Sequence, residues 1–332
     1  MKLFIRIRAL AVFRWMLLLV IFVVPQLSKA QWQAAVGAQS HDKGRQILAF
    51  LPSEIWIHAG DSVTWNVETD ETHTVTFLVS GEARPPFTVG CPGATPDDSN
   101  FDGSSCVNGG PQVKGQSFTV RFSTAGNFKL VCLVHANMTG VVHVLDPEEP
   151  LPHDQEFYDG RAAEQRRDLL RDTDQDHDHD ADHERHELFH EHEVIAGAGE
   201  IVATPGGSAT ISVVRFLHSP TFIHVGDTVE WSNSNPTSPH TITFGTEPAN
   251  PMPPSANVKV DADGARHAVI YSQTDSVHSG FIAPAPEDRI GLAQAPLGVT
   301  RFRVTFTHPG VFYYICALHD ELGMVGQVIV LP

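Results

Sequence analysis

Apolar residues along most of the chain come in short runs that alternate with polar ones, and Gly, Asn, Asp and Pro punctuate them. Such runs are found at Ile47 to Phe50, Glu54 to His58, Ser62 to Val67, His73 to Val79, Ser117 to Phe122, Asn127 to Cys132 and Gly140 to Leu145. Alternation over so few residues predicts half-buried strands, not helices. Many short strands with Gly-Asp and Gly-Asn turns between them predict an all-β, antiparallel sandwich with Greek-key connections. The same pattern returns later: Leu51 to Phe77 is matched by Ile223 to Phe244, with Ile57-His58, Gly60-Asp61 and Trp65 aligning on Ile223-His224, Gly226-Asp227 and Trp231. A repeat of this kind predicts two sandwiches, over residues 31–147 and 197–332. Trp65 and Trp231 are expected in the two cores, and His58 and His224 as exposed strand residues.

Two stretches break the pattern. Met1 to Ala30 has a basic start (Lys2, Arg6, Arg8, Arg14), an apolar run from Trp15 to Val24 and a small-residue end at Ser28-Lys29-Ala30. This reads as a secretory signal peptide, the run being short for a bilayer span; an uncleaved anchor is the other reading. Residues 148–196 read as an acidic, His-rich linker, helical in part between Asp154 and Arg171. Within it His179, His183, His186 and His190 share a helical face, flanked by His177 and His192. A solvated spacer and a weak buffer for copper, zinc or nickel both fit that composition, the spacer better.

The formal net charge is −17, and removal of residues 1–30, with five basic residues and no acidic ones, would make it −22. That excess argues against nucleic acid as a partner and toward basic protein partners. No segment after the apolar run is long enough to enter a membrane. Of the four cysteines, Cys91 and Cys106 lie in a polar insertion and are expected to form a disulfide in an oxidising compartment, stabilising the fold by about 3 kcal/mol.

The other two cysteines carry the chemistry. Val311 to Gly326, VFYYICALHDELGMVG, places Cys316, His319 and Met324 on one short loop between strands, and His240 begins an earlier strand. One thiolate, two imidazoles and a weak thioether make a blue-copper electron-transfer site. The first repeat holds an equivalent set in His73, Cys132, His135 and Met138.

The pair Pro239-His240 and Cys316-x2-His319-x4-Met324 resembles the cupredoxin family, plastocyanins in particular. Cys132-x2-His135-x2-Met138 is similar to the shorter loop of amicyanin. Thr241 departs from the Asn that plastocyanins usually carry. The resemblance implies two type 1 coppers per chain, an electron carrier with no catalysis of its own and redox partner proteins; the signal peptide implies a periplasmic or secreted location. It also implies that His135 and His319 lie near the surface as electron ports. Two joined cupredoxin domains also occur in copper oxidases and nitrite reductases. Those place histidines beside the cysteine, whereas Val131, Leu133, Ile315 and Ala317 stand there here, and the only His-x-His pairs, His177 with His179 and His190 with His192, are in the linker. Copper carriage or storage uses the same ligands. The segment Thr246 to Leu297 is expected to form a surface lobe over one side of the second site.

Overall fold

The computed structural model describes residues 29–86, 90–91, 99–175, 192–283 and 299–332. The expected signal peptide, save its last two residues, and His177, His179, His183, His186 and His190 lie outside them. The first half forms β1 Gln31–Gln39, β2 Arg45–Leu51, β3 Glu54–His58, β4 Ser62–Val67, β5 Thr76–Phe77, β6 Ser99–Phe101, β7 Val107–Asn108, β8 Ser117–Phe122, β9 Gly126–Val131 and β10 Thr139–Leu145. Helix α1, Gln155–Gln175, follows. The second half forms β11 Glu193–Thr204, β12 Gly207–Leu217, β13 Thr221–His224, β14 Thr228–Ser234, β15 Thr243–Phe244, β16 Lys259–Val260, β17 Arg266–Ile270, β18 Val277–His278, β19 Arg301–Phe306, β20 Gly310–Ile315 and β21 Val325–Leu331.

Each half is a two-sheet sandwich, and the two match in strand order except that the second adds β16 at its edge. One sheet runs β2-β1-β4-β8-β6 in the first half and β12-β11-β14-β19-β17-β16 in the second. The facing sheets run β3-β10-β9-β5-β7 and β13-β21-β20-β15-β18. Trp65 and Trp231 are buried at the centres of the two cores, against Phe77 and Phe122 in one and Phe244, Phe302 and Tyr314 in the other. The repeated Gly-Asp pairs are turn devices. Gly60 and Gly226 take φ of 101° and 99°, where a side chain is disfavoured. The following Asp61 and Asp227 carboxylates accept the N–H of His58 at 3.1 Å and of His224 at 2.8 Å.

Over its described residues, 246–283, the insertion after His240 is not a surface lobe. Within it β17 runs parallel to β19, β18 pairs with β15, and Ile282 bridges His240. Its Ala268, Ile270, Val277 and Ile282 are buried, which draws the segment into both sheets instead of over them. The first half does the same with β6, β7 and Gln112. That insertion is closed by the expected Cys91–Cys106 disulfide.

Residues 148–196 also depart from a plain linker. Asp154 caps α1 by accepting the N–H of Phe157 at 3.0 Å. The helix docks on the first sandwich: the Tyr158 hydroxyl accepts the Trp56 N–H at 3.0 Å, and Gln165 accepts the Ser53 N–H at 3.1 Å. Tyr158 is buried there, and Leu169 is buried at the joint, among Ile47 and Leu51 of the first half and Ala209 and Ile211 of the second. At the far end β11 already begins at Glu193, ahead of the expected boundary at 197. The acidic run continues to that point and masks the strand, whose Val194 and Ala196 face the core. His192 stands at its entrance, with Nε2 3.8 Å from Asp227.

The two sandwiches join through β2 and β12, which pair antiparallel from Thr210–Leu48 to Val213–Arg45 and merge the two first sheets into one of eleven strands. Each half's first hairpin then crosses to the other. In the β11–β12 turn, a Cβ on Gly206 would stand 1.7 Å from the Ser53 carbonyl oxygen, so the halves fit only around glycine. Gly206→Ala is therefore expected to destabilise the chain by about 1–3 kcal/mol and to split one calorimetric transition into two. Gly160→Ala, in open space on α1, should instead stabilise by up to about 1 kcal/mol.

Candidate metal centres

His73 precedes β5 and is clamped by a two-way main-chain bridge to Gln112, at 2.9 and 2.8 Å. His240 is clamped in the same way to Ile282, at 3.1 and 2.8 Å. Cys132 and Cys316 follow the last residues of β9 and β20, and Met138 and Met324 come just before β10 and β21. In both loops the cysteine N–H donates to the methionine carbonyl at 3.0 Å. The two additional residues of the second loop are taken up by a short 3-10 turn, Asp320–Leu322, ended by Gly323 at φ 88°. Loops of different length thus close on the same bond.

The closure gathers His73, Cys132 and His135 in one set and His240, Cys316 and His319 in the other, all buried. In the first, Cys132 Sγ lies 3.9 Å from His73 Nδ1 and 3.7 Å from His135 Nδ1, and the two Nδ1 atoms are 3.2 Å apart. In the second, the corresponding distances are 3.8, 3.3 and 3.1 Å. The point equidistant from the three atoms lies about 2.1 Å from each in the first set and about 2.0 Å in the second, within the roughly 2.0–2.3 Å at which imidazole and thiolate bind a divalent transition metal. Met138 and Met324 are fully buried and share the core cluster of their own cysteine.

Burial sets the protonation states. It pushes His73 down to about 3 and His319 down to about 4, and holds His240 well below the ordinary imidazole range. His135 is also held well down, first by burial and then by its neighbours His73 and His319. All four rings are neutral at pH 7, with lone pairs available to a cation. Burial likewise raises the thiol of Cys132, and that of Cys316 to about 11. A thiolate forms in such a place when a bound cation offsets its charge. The donor set therefore fits a soft transition metal.

Thr74 and Thr241 hold each cysteine sulfur in place. Their N–H groups point at Sγ from 3.4 Å, and their hydroxyls accept the N–H of Leu133 and Ala317 at 2.7 Å. Thr241 thus ties the ligand loop to the upstream strand, and the His-Thr pair shared by both repeats was the legible sign of it. Gly37 and Gly197 sit at matching bulges in β1 and β11, with φ of 70° and 79°. A Cβ there would stand 2.9 Å from His73 Nε2 and 2.2 Å from His240 Nε2.

The loop histidines are not surface ports. His135 is 3% exposed and His319 5%, because both loops face the seam between the sandwiches. Ser208 of β12 donates to the Asn137 carbonyl at 2.7 Å, beside the first loop. Arg215 of β12 donates to the Leu322 carbonyl at 2.8 Å in the second loop and to the Asp42 carbonyl at 2.6 Å in the β1–β2 turn. Glu71, two residues before His73, places Oε1 3.4 Å from His319 Nε2, and burial raises its carboxyl to about 7. Arg84 donates to the main-chain carbonyl of Cys132. Neither Glu71 nor Arg84 has a counterpart in the repeat that would have marked it in the sequence. A cleft of about 530 Å³ opens beside this seam, bordered by Lys43, Asp70, Glu71, Leu318, Asp320 and Glu321.

Residues 36–145 match the family model of copper binding proteins, plastocyanin/azurin family. The chloroplastic plastocyanin of Tetradesmus obliquus is 33% identical over 99 residues, 29% of this chain and 59% of that protein, so the chain spans about 59% of the length of this relative. Among solved structures, a reduced amicyanin variant aligns at a TM-score of 0.24 and 20% identity over 35% of this chain and 82% of its own. Oxidised plastocyanin from Dryopteris crassirhizoma aligns at 0.23 and 16% over 42% of this chain and 99% of its own.

The bulge glycines generate a test. Gly37→Ala and Gly197→Ala are each expected to weaken metal binding about 10–100-fold at their own site and leave the other unchanged. Titration with Cu(II), followed by the thiolate-to-metal absorption, reads both.

Proposed function

We propose that the chain is a cupredoxin-type copper protein, an exported electron carrier with two type 1 copper sites, a reading supported by the family match over residues 36–145. His73, Cys132 and His135, with Met138 as axial ligand, would hold one copper. His240, Cys316 and His319, with Met324, would hold the other. Copper bound there supplies a one-electron Cu(I)/Cu(II) couple. The observation that carries the reading is the convergence of a thiol and two neutral imidazoles at metal-binding distance in both halves.

The protein's part is to keep the ligands still. Each upstream histidine is fixed by its main-chain bridge, each cysteine by its threonine, and each loop by the Cys–Met bond. A frame so tied lets the charge change with little rearrangement of the ligands. Both sulfur ligands suit the softer Cu(I), and imidazole suits either state. Partners would be other redox proteins, and the acidic surplus favours basic docking faces. The basic start, apolar run and small-residue end of residues 1–30 support export to the periplasm or beyond. No ligand set among the described residues has the histidines flanking cysteine that an oxidase would use, which supports a carrier without catalysis.

The purified chain should contain two coppers and give type 1 absorption and EPR signatures. Cys132→Ser and Cys316→Ser should each remove one blue centre, about half the intensity of the thiolate-to-copper band. A band left at full strength by either change would show that site to be misassigned. Replacing His177, His179, His183, His186 and His190 with Gln should leave both blue centres intact. If the segment buffers metal, calorimetry will record less weakly held Cu(II), Zn(II) or Ni(II); equal binding leaves it a spacer.

A further inference from the structure

The loop histidines of the two sites, His319 and His135, do not open on solvent: both are buried at the seam. Between the ligand sets runs a short chain of atoms. His319 Nε2 meets Glu71 Oε1 at 3.4 Å, and Glu71 is two residues from His73, a main-chain separation of at most about 7.6 Å. Both side chains are buried, 6% and 10% exposed, so the two atoms approach each other away from bulk solvent, and Glu71 Oε1 has no other hydrogen-bond partner.

The contact is held by both halves. The β2–β12 ladder aligns the sandwiches. Ser208 of the second half binds main chain beside the first ligand loop through Asn137, and its N–H meets Thr139 Oγ1 at 2.9 Å. Arg215 binds the second loop at Leu322 and the first half at Asp42. The crossings anchor the loop of each half against the other half, which a tandem of independent carriers would not require.

The two sites also differ in charge. Arg84 is largely buried and donates to the carbonyl of Cys132 itself, so a cation lies near the first thiolate. In the second half Arg215 reaches only Leu322, six residues beyond Cys316, and shares its charge with Asp42. A nearby cation favours the state of lower positive charge, and a carboxyl beside a ligand does not.

We propose that the chain is a two-centre relay in which the electron passes internally from the His240–Cys316–His319 site to the His73–Cys132–His135 site through the His319–Glu71 contact, with Arg84 setting the direction. This rests on the copper reading above. With copper held at both sites, one electron would move per event, oxidising the second site by one unit and reducing the first by one. No proton or covalent bond is exchanged. The electron that enters comes from a one-electron reductant, and an oxidant of higher potential takes it from the first site. Glu71 and Arg84 are positioning and tuning residues and ligate no metal.

The test uses the full copper-loaded chain. Radiolytically generated one-electron reductant, at less than one equivalent, is pulsed onto the oxidised protein, and the blue bands and EPR spectrum are followed. The expected result is a redistribution phase that is first order and independent of protein concentration, absent in Cys132→Ser and Cys316→Ser. Glu71→Ala should slow that phase several-fold while both centres stay blue, and Glu71→Gln, which keeps length and an acceptor oxygen, should restore most of the rate. Arg84→Met should lower the potential of the higher wave in a redox titration and leave the lower wave in place. Dipolar broadening between the two Cu(II) ions in the fully oxidised EPR spectrum gives their proximity without any turnover. A chain lacking two blue centres overturns the copper reading and this one together. Two blue centres with no dipolar broadening, or with redistribution that scales with protein concentration, overturn the relay alone.

Discussion

The β2–β12 pairing is the interaction on which the rest depends. In an isolated half, either strand would be a sheet edge with unpaired N–H and C=O groups, a ready template for unwanted association. Pairing them with each other satisfies both edges and sets the halves in one register, with Ile47 opposite Ile211. Everything at the seam follows from that alignment: the glycine-only approach of the β11–β12 turn to Ser53, the crossing bonds of Ser208 and Arg215, and the burial of both ligand loops.

Burial of the loops then governs the chemistry. In a low-dielectric seam imidazoles stay neutral and thiols stay protonated until a cation arrives, so the empty ligand sets and the metal-bound sets differ by one compensated charge. The bonds that hold the ligands are main-chain or threonine bonds and do not depend on that charge. This combination suits a site that changes oxidation state without changing shape. It also means that a metal held in either set would be reached through the seam, not through an exposed imidazole.

The two halves are alike in frame and unlike in surroundings. Strand order, bulge glycines, histidine clamps, threonine ties and loop closure all repeat. The differences lie outside that frame: Glu71 and Arg84 belong to the first half alone, and α1 docks chiefly on the first sandwich, reaching Ala209 and Ile211 of the second through Leu169. Duplication accounts for two sites, and asymmetric contacts at the seam make them inequivalent.

The sequence by itself determined what local chemistry and period determine. Alternation gave the strands, Gly60-Asp61 and Gly226-Asp227 gave their turns, and the spacing of Cys and His on each loop, with His73 and His240 upstream, marked the side chains that the fold brings together in two candidate metal sets. The strand β1 escaped, because its Ala, Gly and Gln residues carry little strand signal and are ordered by neighbours on both sides. The docked helix escaped in part, because an acidic segment looks solvated until Tyr158 and Leu169 find a surface to bury against. Only the tertiary structure decided where the loop histidines point. The exposure of His135 and His319 is set by how two sheets pair at residues far from either loop. The contact of Glu71 with His319 joins groups 248 positions apart in the chain, a separation that no local pattern encodes.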